Sequence, residues 1–326
     1  MALTAAYKRV LEKRFGGKIR FDEPMAMHTS FRIGGPADAM AFPGSAADII
    51  DLVRLLSAEN IPWHVLGGGT NLLVRDGGIR GVVISPAPGL SGVRVHGEPP
   101  GSAIARGETV TVTAESGALL GRICRFAAER GYSGLSFAAG IPGTLGGAVI
   151  MNAGTPEGDI SSVLMSLKVI DREGETHDVD RDRLNFEYRS LSLPPEIAGP
   201  VGKPGVVISA TLQLEQSDSP SVEKEIRDWL LKRKQVQPGG FSAGSFFKNP
   251  PKGKTAGELI DRAGLKGMCA GGAVVSEKHA NFIVNRNHAT ARDILALMEI
   301  VQRRVHELFG VNLQPEVRVI GEEAST

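Results

Sequence analysis

Glycine is the residue that most narrows what this chain can become. It fills 41 of 326 positions, about 13% where a typical domain has about 7%, yet the sequence is not of low complexity. The glycines gather at Gly67-Gly68-Gly69, from Gly140 to Gly147, at Gly239-Gly240 and at Gly271-Gly272. A residue without Cβ is needed where backbone turns sharply or lies close against a partner. In Val65-Leu66-Gly67-Gly68-Gly69-Thr70-Asn71-Leu72 the glycines follow a strand-like run. Successive N–H groups there can form a nest for a pyrophosphate; a tight turn is the plainer alternative. No Gly-Lys-Ser/Thr follows, which excludes a Walker loop, and the spacing is not G-x-G-x-x-G. The second cluster, Gly140-Ile141-Pro142-Gly143-Thr144-Leu145-Gly146-Gly147, has four glycines and a proline in eight positions, poor material for a helix or strand interior. Two such clusters point to one large phosphate-bearing ligand between them.

Composition removes other classes. Lys+Arg 37 against Asp+Glu 36 leaves a net charge of +1, without the basic surplus of a nucleic-acid binder. Hydrophobic residues at 42% and charged residues at 22% favour a packed core over disorder. Cys124 and Cys269 are the only cysteines, too few for a disulfide scaffold or, alone, a zinc site. The histidines show no metal spacing; His306-Glu307 lacks the second His of a zincin. No apolar run approaches a membrane span. Tyr7, Val10, Leu11 and Phe15 among Lys8, Arg9, Lys13 and Arg14 read as an amphipathic helix rather than a signal peptide. The expectation is a cytoplasmic protein of about two domains, with no metal, nucleic-acid or membrane partner; its oligomeric state is left open, a monomer being compatible.

Periodicity predicts a helix capped by Ser45 with Ile49, Ile50, Val53 and Leu56 on one face, and a second carrying Leu119, Leu120, Ile123, Phe126 and Ala127, closed by Gly131. Cys124 falls on that second helix's apolar face, a core position. Strands are expected at 63–66, 81–85, 109–113, 164–171 and 206–214. The polar stretch 215–220 marks a boundary. After it Ser219 caps and Pro220 opens a helix with Val222, Ile226, Trp229 and Leu230 inward. A long helix from 290 to 308 keeps Ile294, Leu297, Met298, Val301, Val305 and Leu308 in register and stops at Gly310. The topology reads as α+β, with strands in the first part too closely spaced for regular βαβ units.

Six blocks carry a resemblance: HTSFRIGGPAD (28–38), LGGGTNLLV (66–74), AGIPGTLGGAVIMNAG (139–154), FEYRS (186–190), AGSFFKNP (243–250) and LQPEVRVIG (313–321). In this order, and across about residues 20–321, the chain resembles the UDP-N-acetylenolpyruvoylglucosamine reductase family, in its shorter type without a substrate-covering tyrosine loop. The resemblance implies an FAD-binding fold of the vanillyl-alcohol-oxidase type followed by an α+β substrate domain. Residues 1–27 would be an N-terminal helical segment, 28–216 the FAD-binding domain (subdomains of about 28–85 and 86–216) and 217–326 the substrate-binding domain. It further implies non-covalent FAD held by Leu66, Gly67, Gly68, Gly69, Thr70, Asn71, Leu72, Gly140, Ile141, Pro142, Gly143, Thr144, Gly146, Gly147 and Asn152. NADPH is the implied reductant, and UDP-N-acetylglucosamine enolpyruvate the substrate, reduced to UDP-N-acetylmuramate for peptidoglycan.

Such an enolpyruvyl ether takes a hydride on its terminal vinyl carbon and a proton on the neighbouring one. Charge then moves toward the carboxylate, so a cation or acid is needed there and a proton donor elsewhere. By resemblance Arg189 polarises the carboxylate, Ser245 donates the proton and Glu316 supports the carboxylate charge as a neutral acid. On their own residues the three read as a solvated arginine, a loop serine and an exposed strand glutamate. Asn249 would face the UDP-sugar, and Arg233 and Lys234 its diphosphate; the helix dipole alone also favours cations in a last turn. Tyr188 reads either as packing over substrate or as filling the core. AGLKG (263–267) and KHANFIVN (278–285) read mainly as scaffold. The chain departs from the family at Thr155-Pro156-Glu157-Gly158, where Ala-Tyr-Gly is common, at Phe137, where Glu is common, and in a modest insertion over 97–107. The alternatives are another FAD-dependent oxidase or dehydrogenase of the same fold, and a non-catalytic nucleotide-sugar-binding paralogue.

Overall fold

A computed structural model describes residues 3–96, 105–198 and 205–324; most of the 97–107 insertion lies outside them. The described residues fold around three sheets of three or more strands. The first has the strand order Ile19–Pro24, Pro36–Ala41, Ile79–Ile84, Trp63–Val65. Its first pair is antiparallel, while Pro36–Ala41 and Trp63–Val65 both run parallel to Ile79–Ile84. The helix Ala46–Ala58 joins these two parallel strands, with the Ser45 side chain accepting from the Asp48 N–H at 3.2 Å. This is a single βαβ crossover in a part of the chain that otherwise lacks regular βαβ units. The strand that opens it, PADAMA, is rich in alanine and poor in β-formers. It forms because small residues fit between two layers: Ala39 and Ala41 pack with Ile49, Val53 and Leu56, and Met40 with Met25 and Val83.

The second sheet is antiparallel, in the order Thr176–Asp180, Leu164–Ile170, Val206–Gln216, Thr109–Glu115, Val93–Val95, with Tyr132–Ser133 also on Val206–Gln216. The helices Leu120–Arg130 and Leu145–Ile150 bury Leu120, Ile123, Cys124, Leu145 and Val149 against it. Gly131 takes the left-handed conformation, φ 69°, that ends the first of these. Burial pushes the Cys124 thiol up to about 12, so it stays a neutral core residue.

The third sheet, Cys269–Ala270, Ala273–Val275 and Ile283–Asn285, packs with the helices Ala256–Arg262 and Ala291–Phe309. Thr290 and Asp293 form a capping box on the long helix, whose Ile294, Leu297, Val301 and Val305 are buried, whereas Leu308 is exposed. Phe31, Ile33 and Leu73, from early in the chain, complete this core.

Two elements join the units. The strand Arg318–Ile320 leaves the third core and pairs in parallel with Leu72–Val74, directly after the first glycine loop. The helix Ser219–Val236 packs on Leu120–Arg130. Its cap is Asp218, accepting from Ser221 N–H at 2.9 Å, one residue earlier than expected, because Ser219 already has helical backbone. Of the four residues expected to face inward only Val222 is buried, and Leu230 is exposed.

Candidate active site

The three units meet at a cleft of about 860 Å³. Its floor is the two glycine loops in direct contact. Thr70 Oγ1 donates to Pro142 O at 3.1 Å. A Cβ on Gly68 would stand 2.7 Å from Gly143 Cα, and one on Gly67 2.7 Å from Thr144 Oγ1. No side chain longer than hydrogen allows backbone to approach so closely, which is why glycine concentrates here. Among the described residues the main-chain N–H groups of Gly67, Gly68, Gly69, Thr70 and Asn71, and of Gly143 and Thr144, have no hydrogen-bond partner. Such a row of outward amides is an anion nest.

Leu66 to Leu72, Ile141, Pro142, Gly143, Thr144, Gly146, Gly147, Tyr188, Arg189, Arg233, Ser245, Asn249 and Glu316 all line this cleft. Gly140, Asn152 and Lys234 do not. Gly140, at φ 75°, makes room for the neighbouring helix: a Cβ there would lie 3.0 Å from Arg233 Cδ and 3.1 Å from Leu230 Cδ2. Asn152 is 4% exposed, its amide spent on protein partners. Lys234 sits about 100° around the helix from Arg233, and its carbonyl accepts from Lys278 Nζ at 2.7 Å.

Arg189 occupies the second position of a two-residue hairpin turn between Asn185–Glu187 and Ser190–Ser192. Its φ of 57° is the left-handed conformation usually left to glycine or asparagine, a strain of about 1–3 kcal/mol of the kind kept at functional sites. The guanidinium donates through Nε to Glu316 Oε1 at 3.0 Å and through its terminal nitrogens to Asn152 O and Gly154 O at 3.4 and 2.9 Å. It also stacks 4.9 Å over the Tyr188 ring. Tyr188 itself is 52% exposed in the cleft, which excludes the core-filling reading.

Glu316 precedes the joining strand. Its N–H donates to Phe246 O at 2.8 Å, and its carbonyl accepts from Asn71 Nδ2 at 3.2 Å. Residue 316 is thereby laid beside residue 246, next to Ser245, and beside the first glycine loop. Burial pushes the Glu316 carboxyl above the usual carboxylate range, outweighing the pull of Arg189 and Lys248 toward the ionised form. The Ser245 hydroxyl has no hydrogen-bond partner among the described residues. Asn249 Oδ1 accepts from Ala256 N–H at 3.0 Å, leaving its amino group for the cleft.

Buried polar atoms without partners mark where a ligand is awaited. Four occur among the described residues, and three of them, Ser30 Oγ, Ser116 Oγ and Arg233 Nε, belong to residues lining the cleft. Burial, and then the like charge of Arg189, lower the Arg233 pKa. An unpaired, half-buried guanidinium is an anion-binding group without its anion.

Sequence reasoning missed Ser30, Ser116, Arg318 and Asn281 as cleft residues. Arg318 was within reach: two positions after Glu316 on an extended segment, it shares that residue's face. Asn281, in the block read as scaffold, clamps the serine loop by accepting from Phe247 N–H at 2.9 Å and donating to Phe247 O at 2.8 Å. Nothing in the local sequence around Ser116 marks it.

Among the described residues no group of three His, Cys, Asp or Glu could hold a metal ion, and no helix is long and apolar enough to cross a membrane.

Comparison with known proteins agrees with this geometry. The family model described as FAD binding domain matches residues 37–180, and that described as UDP-N-acetylenolpyruvoylglucosamine reductase, C-terminal domain, matches 237–320. The reductase of that name from Desulfosudis oleivorans is 44% identical over 317 residues, covering 97% of this chain and 99% of the relative. The one from Heliobacterium modesticaldum is 42% identical over 313 residues, covering 96% and 94%. The crystal structure of the Thermus caldophilus reductase superposes with a TM-score of 0.71 at 33% identity, covering 91% of this chain and 97% of that one. Near-complete coverage at such identity, on an α+β fold with both glycine loops in one cleft, leaves one assignment: the chain belongs to the UDP-N-acetylenolpyruvoylglucosamine reductase family.

Proposed function

We propose that the cleft reduces UDP-N-acetylglucosamine enolpyruvate to UDP-N-acetylmuramate, the peptidoglycan precursor, with FAD as the bound cofactor and NADPH as reductant. The observation that carries this reading is the meeting of Arg189, Glu316 and Ser245 in the same cleft as the two glycine loops.

The residues fit FAD. The free amides of Gly67 to Asn71 and of Gly143 and Thr144 suit its pyrophosphate, and the orphaned Ser116 hydroxyl offers a further polar contact. When bound, FAD would supply the two-electron chemistry that couples oxidation of NADPH to reduction of the vinyl group. The protein's own groups do the rest. Arg189 and Glu316 flank the substrate carboxylate and take up the charge pushed onto it. Burial keeps Glu316 protonated to higher pH than a free carboxyl, so it can donate a hydrogen bond to that carboxylate rather than repel it. Ser245 gives a proton to the carbon beside the carboxylate. A serine is a weak acid, so this step depends on charge built up on the enol and on close positioning. Arg233 and the Asn249 amino group reach toward the nucleotide-sugar diphosphate. NADPH and substrate use the cleft in turn, and we assign the reaction to the cytoplasm; the cleft residues named above all come from one chain.

An anaerobic two-step assay tests this. Bleaching of the flavin absorbance by NADPH, then recovery on adding UDP-N-acetylglucosamine enolpyruvate, is the expected result. Bleaching without recovery would reassign the chain to another FAD enzyme, and protein that takes up no FAD would sink the reading.

A further inference from the structure

We propose that Asn152 is a positioning residue for Arg189, its amide knotting the loop after the second glycine cluster to the turn that presents the guanidinium. The inference rests on the function proposed above and adds a residue to it.

Asn152 Nδ2 donates to Asp159 Oδ2 at 3.1 Å and to Glu187 O at 3.3 Å, while Oδ1 accepts from Ser161 N–H at 3.1 Å. Glu187 is the residue that enters the Tyr188-Arg189 turn, paired with Ser190 across it. The main chain of the same loop returns two bonds, since Asn152 O and Gly154 O accept from the Arg189 terminal nitrogens. Asp159 is itself fixed through its other oxygen, which accepts from Ser161 Oγ at 2.6 Å. The turn is thus held from below by a side chain and the guanidinium from the side by two carbonyls. Nε reaches Glu316, and each terminal nitrogen keeps a second N–H that is not used in these bonds.

Asparagine suits this place. The backbone at 152 has φ 39°, which asparagine tolerates better than other non-glycine residues. Two donors and one acceptor are required, and asparagine has them. Aspartate would lack the donors and face Asp159. With both amino hydrogens and the carbonyl oxygen engaged and the residue buried, no edge of the amide points at a cofactor. The Arg189 turn is strained and projects into the cleft, so it needs external support to keep a single geometry, and a misplacement of about 1 Å can cost about 100-fold in rate.

The test is Asn152→Gly, which keeps the left-handed backbone accessible and removes only the side chain, in wild-type and Arg189→Ala backgrounds. Purified protein should retain FAD, while anaerobic reoxidation by UDP-N-acetylglucosamine enolpyruvate slows about 10- to 100-fold. In the Arg189→Ala background the same change should add less than about twofold, because a residue acting through Arg189 has nothing left to position. Loss of FAD would overturn the proposal by making Asn152 a cofactor residue. Equal slowing in both backgrounds would overturn it by making the effect merely structural. If Asn152→Gly does not fold, Asp159→Ala removes one anchor of the amide and should give a smaller slowing that again vanishes without Arg189; a slowing that persists overturns the idea. Wild-type reduced flavin that this substrate cannot reoxidise is a separate outcome and overturns the functional reading itself.

Discussion

Arg189 Nε and Glu316 Oε1 stand 3.0 Å apart although 127 positions separate them in sequence. The pair is partly buried, with side-chain exposures of 22% and 14%. Desolvation wins over attraction at the carboxyl, whose pKa is raised despite the adjacent guanidinium. A carboxyl that holds its proton more tightly than a free one, next to a fixed cation, is an arrangement suited to an anionic group, since in its neutral form it adds a donor and no second negative charge.

Glu316→Gln is therefore expected to retain reoxidation activity at low pH and to lose its pH dependence. In wild-type protein the rate should fall as pH rises through the raised Glu316 pKa, and in the glutamine variant that limb should disappear. Stability follows the same sign. Glu316 binds its proton more tightly folded than unfolded, so its contribution is full below the unfolded pKa and is lost as pH climbs through the folded one. Thermal melts should show the variant gaining on wild type toward alkaline pH. An unchanged pH–rate limb would remove Glu316 from the charge-supporting role.

Ser245→Ala should leave reduction by NADPH nearly intact and slow reoxidation by the enolpyruvyl substrate about 10²- to 10⁴-fold, the usual worth of a general acid. Stopped-flow absorbance separates the two half-reactions. Equal loss in both would mean that the serine loop shapes the cleft rather than donating a proton.

At Gly143 the φ of 121° and a Cβ position 2.9 Å from Thr70 Oγ1 leave no room for a side chain. Gly143→Val is expected to give folded but colourless protein, read from the ratio of flavin to protein absorbance. Full FAD content would place the cofactor away from this loop.

Arg233 carries the clearest trade of stability against binding. Its Nε is buried and unpaired, beside another arginine whose charge disfavours it. Arg233→Leu should leave the ligand-free melting temperature equal or higher, since a buried unpaired charge is removed. KM for the nucleotide-sugar should rise about 10- to 100-fold through the lost charge-assisted hydrogen bonds, each worth about 1.5–3 kcal/mol. A lower melting temperature with unchanged KM would make the arginine structural.

Much of the local structure was legible in the residues. Ser45, Gly131, Thr290 and Gly310 sit at the helix ends they predict, because capping depends on a few neighbouring atoms. The two glycine clusters imply one ligand held between them; that the loops also touch each other, through Thr70 and Pro142 and through Gly68 and Gly143, came only from the structure. The strand Pro36–Ala41 was not legible, because its alanines are strand-formers only when layers on both sides exclude bulk. Lys234 and Arg233 looked equivalent in sequence, and one helical step separates the residue that lines the cleft from the one that does not.

By itself the sequence determined the main helices and their ends, the two loops stripped of side chains and the family to which the chain belongs. All of these are written in local pattern or in blocks of adjacent residues. Only the tertiary structure decided which charged groups meet. Arg189, Ser245 and Glu316 come from a strained hairpin turn, a loop clamped by Asn281, and the approach to a strand that crosses back to the first glycine loop. No local rule brings these together. Parallel pairing of Arg318–Ile320 with Leu72–Val74 brings the segment of Glu316 back to the first glycine loop, and burial raises the pKa of its carboxyl.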